Sequence, residues 1–143
     1  MNYTEEVNSL IERQMRNWQT VAQNYGALER VETRDLQLGG STVVLQFNPE
    51  RIRSSAAKVD AASLKARKCF LCSENQPQEQ EMIPWHGKYK IQVNPYPIFP
   101  RHLTIANMQH VYQSIVGRVG DMLRLSADLQ EFVLFYNGPK CGA

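Results

Sequence analysis

Tyr89 to Ala106 reads YKIQVNPYPIFPRHLTIA, and the fold turns on how this stretch is parsed. Tyr89 to Val93 alternates β-prone with polar side chains, the two-residue period of a strand. Asn94-Pro95-Tyr96-Pro97-Ile98-Phe99-Pro100 follows, and each proline fixes its own φ and bars its predecessor from the helical region. This segment must be extended, and it feeds a second strand over Ile98–Ala106. Strands so close together put a sheet at the centre of the fold.

Downstream, Val111 to about Leu129 predicts a helix, with Tyr112, Ile115, Val116, Val119, Met122, Leu123 and Leu125 on or near one face. Gly117 and Gly120 weaken it locally. Glu131 to Tyr136 is an almost wholly apolar run, as expected of a central strand covered on both faces. Upstream, β-rich runs on either side of Gly39-Gly40-Ser41 predict a hairpin over 28–47, closed by Asn48-Pro49. Residues 58–68 predict a short helix starting near Asp60, and 73–81 a polar loop. At the N-terminus, Thr4 as cap and Glu5-Glu6 in the first turn start an amphipathic helix over 4–25. Its stripe is Val7, Leu10, Ile11, Met15, Trp18, Val21, Ala22 and Tyr25, and Gly26 is its stop. The sum is an α+β fold: a mostly antiparallel sheet, helix 111–129 over one face, and the N-terminal helix packed at the side.

Composition bounds the rest. At 143 residues, 43% hydrophobic and 21% charged, the chain is one ordinary globular domain spanning 1–143. A net charge of +2 leaves no general nucleic-acid footprint, and 13 aromatics (2 Trp, 6 Tyr, 5 Phe) spread along the chain build no stacking platform. No apolar run approaches the ~20 residues of a membrane span, and the N-terminus lacks the apolar core of a secretory signal. Three cysteines, two of them at C-x-x-C spacing, do not make a secreted disulfide framework, so a cytoplasmic protein is expected. The charge is nevertheless uneven. Residues 51–68 hold Arg51, Arg53, Lys58, Lys65, Arg67 and Lys68 against Asp60 alone, which suits either a solvated face or a phosphate-facing edge.

Cys69-Phe70-Leu71-Cys72 sets two thiols on one side of a tight turn, the spacing at which both bind one zinc ion. A redox pair is the competitor, but that motif follows a strand and opens a helix, whereas this one lies between a basic segment and a polar loop. A closed zinc site takes four ligands, and His86, His102, His110 and Cys141 are the candidates to complete it. His86 reads equally as an exposed turn residue, His102 as a half-buried strand residue, and His110 as a group that fixes a helix start.

Taken in order, Asn94-Pro95, Phe99 to Ile105 with His102, His110, a helix, and Phe132 to Tyr136 ending in Asn137-Gly138 resemble the histidine-triad superfamily. Phe47-Asn48-Pro49-Glu50-Arg51 and the Cys69/Cys72 pair resemble its nucleotidyltransferase branch: galactose-1-phosphate uridylyltransferases, diadenosine tetraphosphate phosphorylases and GDP-L-galactose phosphorylases. The resemblance covers roughly 28–143 and implies transfer of a nucleotidyl group from a nucleoside diphosphate sugar or dinucleoside polyphosphate through a histidine intermediate. It implies that Asn94 touches the nucleoside and that Arg51 and Arg53 face phosphates. Asn137 and Gly138 would cradle the α-phosphate, His102 would be a supporting residue, and His110 would join Cys69 and Cys72 on a structural zinc. The nucleophilic histidine of that family lies in an His-x-His motif that the pattern places beyond Ala143. The expectation is therefore the N-terminal part of a longer enzyme, inactive alone and pairing as a homodimer through an exposed sheet edge. The alternative is a zinc-stapled binding module with no chemistry.

Overall fold

The computed structural model describes residues 2–51 and 60–138. Helix α1 (Tyr3–Asn17) and helix α2 (Gln19–Ala27) are followed by the hairpin β1 (Glu32–Leu38) and β2 (Ser41–Phe47), then the short α3 (Ala61–Ala66). Strands β3 (Ile83–Trp85), β4 (Tyr89–Val93) and β5 (Leu103–Asn107) and helix α4 (Val119–Asp128) complete the chain. The α+β class is as expected, but the strands form two separate antiparallel sheets, β1-β2 and β3-β4-β5. Among the described residues no helix is long and apolar enough to cross a membrane.

The N-terminal stripe does form a helix, with two differences. Asn2, not Thr4, is the cap: its side chain accepts from the Glu5 amide, which leaves Thr4 inside the first turn, its hydroxyl donating to the Asp128 carbonyl. The helix also breaks at Trp18, whose backbone is extended at φ −125° and ψ 104°. The break swings Trp18, Val21 and Tyr25 onto the same core that α1 fills with Val7, Leu10 and Ile11. Ile83, Trp85, Ile91 and Val93 meet them from one face of the β3-β4-β5 sheet, with Leu125 and Leu129 closing the side. The roles of the two helical regions are thus exchanged: the N-terminal pair covers the sheet, and α4 contributes a flank.

Helix 111–129 is shortened because Gly117 takes φ +72°, a left-handed conformation that interrupts a right-handed helix. The strand expected over 131–136 does not form: Glu131 and Phe132 lie in a turn and a bend, the Phe132 amide donating to the Leu129 carbonyl, and Val133 to Tyr136 have no regular structure. Phe132 and Leu134 pack on the core while Val133 stands 90% exposed. Arg101 anchors the start of this segment, pairing with Glu131 at 2.7 Å and lying over the Phe132 ring. The second central strand begins at Leu103 rather than Ile98, since the proline segment stays irregular through His102. Strand β3 lies just past the polar loop expected over 73–81; Pro84 masks it in the sequence and is tolerated because the strand is at an edge. The hairpin starts at Glu32, after a 3-10 turn over Leu28–Arg30, and turns through Gly39 and Gly40 at φ +55° and +83°. Asp60 caps α3 by accepting from the Ser63 amide. Arg53, Lys58 and Cys141 lie outside the described residues.

Gln14 is wholly buried in α1, and its amide ties the helix to the far loop. Its Nε2 donates to the Glu79 carbonyl at 2.7 Å, and its Oε1 accepts from the Glu81 amide.

Candidate functional site

Three asparagines build three turns in the same way, and each turn presents a candidate residue. Asn48 Oδ1 accepts from the Glu50 amide and shapes the turn that ends in Arg51. Asn94 Oδ1 accepts from the Tyr96 amide at 2.9 Å, and its Nδ2 donates to Thr104. Asn107 Oδ1 accepts from the Gln109 amide, directly before His110.

The first two turns meet. Asn24, Asn48, Glu50, Arg51, Tyr96 and Pro97 line one shallow cleft at the end of the β4-β5 pair where Asn94 and His102 sit. Asn24 braces it by donating to the Pro95 carbonyl, and Gln46 donates to the Ile98 carbonyl, which joins the hairpin to the proline segment. His102 is fixed on two sides. Its Nδ1 accepts from the Ile98 amide at 3.1 Å, so the ring proton resides on Nε2. Burial, and then the nearby Arg51 charge, hold its pKa below the ordinary imidazole value, so the ring is neutral. Its backbone is clamped by Tyr25, whose hydroxyl donates to the His102 carbonyl and accepts from the His102 amide.

Burial pushes the Tyr25 phenol up to about 12 against the partial offset of its hydrogen bond to His102. A phenol raised from about 10 in the unfolded chain binds its proton more tightly when folded. Its stabilisation is complete below pH ~10 and is lost as pH rises towards 12, by up to about 2 kcal/mol. Denaturant midpoints measured from pH 9 to 12 are expected to fall across this window, and to fall less in Tyr25→Phe.

The third turn serves a different centre. Cys69, Cys72 and His110 offer two sulfurs and one ring nitrogen that all lie within 4.8 Å of one another, close enough to hold a metal ion. Cys72 Sγ and His110 Nδ1 are 3.1 Å apart, although 38 residues separate them in the chain. Both cysteines are free thiols. Loss of solvation raises the Cys72 pKa, reinforced by the hydrogen bond and charge of Cys69 and by Glu74, and Lys90 opposes them. Lys90 is buried beneath this turn, its ammonium donating to Ser73 Oγ at 3.0 Å and Gln76 Oε1 at 3.4 Å. Asn75 donates to the Cys69 carbonyl, and the amides of Gln76 and Gln92 pair in both directions. The face of the sheet opposite the helices is therefore floored by a polar layer carrying the cysteine turn.

These two centres stand at opposite ends of β5. With a rise of about 3.3 Å per residue, the strand separates His102 from the Asn107 turn by roughly 17 Å. The candidate residues thus fall into two groups. Arg51, Asn94 and His102 gather at one end, while Cys69, Cys72 and His110 gather at the other. Asn137 goes with the second group, since its backbone carbonyl accepts from Gln113 in the loop carrying His110, and Gly138 follows it. His86 and His102 are outside the metal-binding group. His86 turns at φ +48° against the Trp85 ring and lies 3.7 Å from Asp128. The residues missed in the sequence are Asn24, Tyr96 and Lys90. Only the Asn-Pro-Tyr-Pro pattern carried a signal, an asparagine two residues before an amide it can cap.

Residues 10–143 match a family profile described as a domain of unknown function (DUF4922). No curated protein and no solved structure matches the chain.

Proposed function

The chain belongs to the DUF4922 family, and from that premise we propose that it binds a nucleotide by its phosphates in the Arg51–Tyr96 cleft, as a domain of the histidine-triad nucleotidyltransferase or phosphorylase type. The observation that carries this reading is the meeting of Arg51 and Tyr96, from segments 45 residues apart, on one shallow cleft, with Asn94 holding the Tyr96 turn and His102 close enough to feel the Arg51 charge. A guanidinium at the end of a capped turn is a phosphate ligand. Tyr96 beside it is 39% exposed and offers a face for a base. Asn94 acts by holding the Tyr96 turn, as both ends of its amide are engaged within the chain.

None of the chain's three histidines is placed to attack a phosphate. His110 is in contact with Cys72, His102 has its Nδ1 lone pair committed to the Ile98 amide and its proton on Nε2, and His86 lies against Trp85 and Asp128. The role of this segment is to bind and orient a nucleotide rather than to form the covalent intermediate. Cys69, Cys72 and His110 would hold a structural zinc ion. In a tetrahedral site with Zn–S near 2.3 Å, donor atoms sit about 3.5–3.8 Å apart, within the spread these three already have. Zinc there would fix the His110 loop to the cysteine turn, far from the cleft.

Titration of a nucleoside diphosphate into the chain, followed by calorimetry, is expected to show saturable binding. Arg51→Ala should weaken it about 10- to 100-fold, since a charge-assisted hydrogen bond is worth ~1.5–3 kcal/mol. Incubation with a nucleoside diphosphate sugar should leave the intact mass unchanged. No binding by the unaltered chain at about 1 mM nucleotide, together with stoichiometric zinc, would instead favour the zinc-stapled binding module. The distance between the metal donors and the cleft is the observation on that side.

A further inference from the structure

The β1–β2 hairpin has an apolar face that stays open among the described residues. The strand register puts Leu36 and Leu38 on the same face as Val43, Leu45 and Phe47, while Thr33, Asp35, Gln37, Thr42, Val44 and Gln46 point the other way. On the apolar face Leu38 is 59% exposed, Val43 40%, Leu45 49% and Phe47 58%, and none of them belongs to the core. A two-stranded hairpin with an open apolar face is marginal in water and gains its stability by packing against something else.

Charge identifies what packs there. The same face carries Glu32 and Arg34 at the open end of the hairpin, both exposed and neither in an ion pair among the described residues. A partner of one charge sign would be repelled by one of the two. A surface holding one acid, one base and an apolar patch is complementary to itself, and two-fold association presents just such a patch to its own copy. We propose that the chain forms a homodimer by stacking the apolar faces of two β1–β2 hairpins, each Glu32 meeting Arg34 of the second copy. Two sheets pack face to face about 10 Å apart, a gap that leucine and phenylalanine side chains fill. Five partly exposed apolar side chains amount to several hundred Å² per copy, below the ~800 Å² per partner of a standard stable interface. The dimer is accordingly reversible and concentration-dependent. It does not rest on the nucleotide reading, although it would brace the strand that leads into Asn48 and Arg51.

Sedimentation velocity of the whole chain, from micromolar to submillimolar concentration, tests this. The mass should move from 16.4 kDa towards twice that value. Leu45→Lys should stay monomeric throughout. Val44→Lys, on the opposite face and 60% exposed, should dimerise like the unaltered chain. Arg34→Glu should weaken the dimer at least several-fold, and the exchange Glu32→Arg with Arg34→Glu should restore it. All these positions are exposed, so circular dichroism should be unchanged. An unaltered chain that remains at 16.4 kDa, a Leu45→Lys chain that still dimerises, a Val44→Lys chain that does not, or a double exchange that fails to restore pairing overturns the proposal.

Discussion

Cys72→Ser is expected to abolish stoichiometric zinc binding, from one ion per chain to none, and to lower the thermal midpoint by about 10 °C in zinc-containing buffer. Binding to the folded state alone stabilises by about 4 kcal/mol when the free ion is a thousand times its Kd. For a chain of this length each kcal/mol moves the midpoint by roughly 2–4 °C, or somewhat more in a smaller cooperative unit. The physical cause is local. Without the ion, the hydrogen bonding between the cysteine turn and the His110 loop among the described residues is the Cys72–His110 contact, whereas three donors on one cation close a long loop. Chelation of the unaltered chain should reproduce the shift, and chelation of Cys72→Ser should not. Equal zinc content in the two chains, measured by atomic emission after dialysis, would dismiss the metal reading while leaving the Arg51 cleft untouched.

The second large effect is expected at Gln14. Gln14→Met keeps the volume and the helix propensity, yet takes from the Glu79 carbonyl and the Glu81 amide the hydrogen bonds that a wholly buried side chain gives them. Each group left unpaired costs about 1–3 kcal/mol, so a loss of about 3 kcal/mol in urea unfolding is expected. The neighbouring Met15, 40% exposed, provides the control: Met15→Gln should change stability by less than about 0.5 kcal/mol. If the two substitutions cost the same, the buried amide is not what fastens α1 to the 79–81 loop.

Periodicity made α1, α2 and β4 legible because these elements bury one face against a single core, and burial imprints a period on the sequence. Trp18 was legible as core but not as a break, since its extended backbone leaves no mark in a stripe that stays apolar across it. Glu131 to Tyr136 misled for a related reason. An apolar run records an affinity for cover, not the presence of a neighbour to pair with, and here only Phe132 and Leu134 find cover. Gly117 was read as a soft spot when its left-handed backbone is a stop. For the site, Cys69 and Cys72 were visible from local spacing, while His110 reached them only through a likeness to a family, because a sequence separation of 38 hides the contact. Lys90 carried no signal at all. A lysine in a strand reads as solvent-facing, and only the loop folded over it makes it otherwise.

That sealed lysine gives the β3-β4-β5 sheet two sides that answer to different solvents. Excluded salts and osmolytes tighten the greasy side, where Ile91 and Val93 meet the helices, and do little for the underside, where an ammonium leans on a hydroxyl and an amide. Lifting the cysteine turn would return that ammonium to water, which solvates it well, so opening the underside should cost less than parting the helices from the sheet.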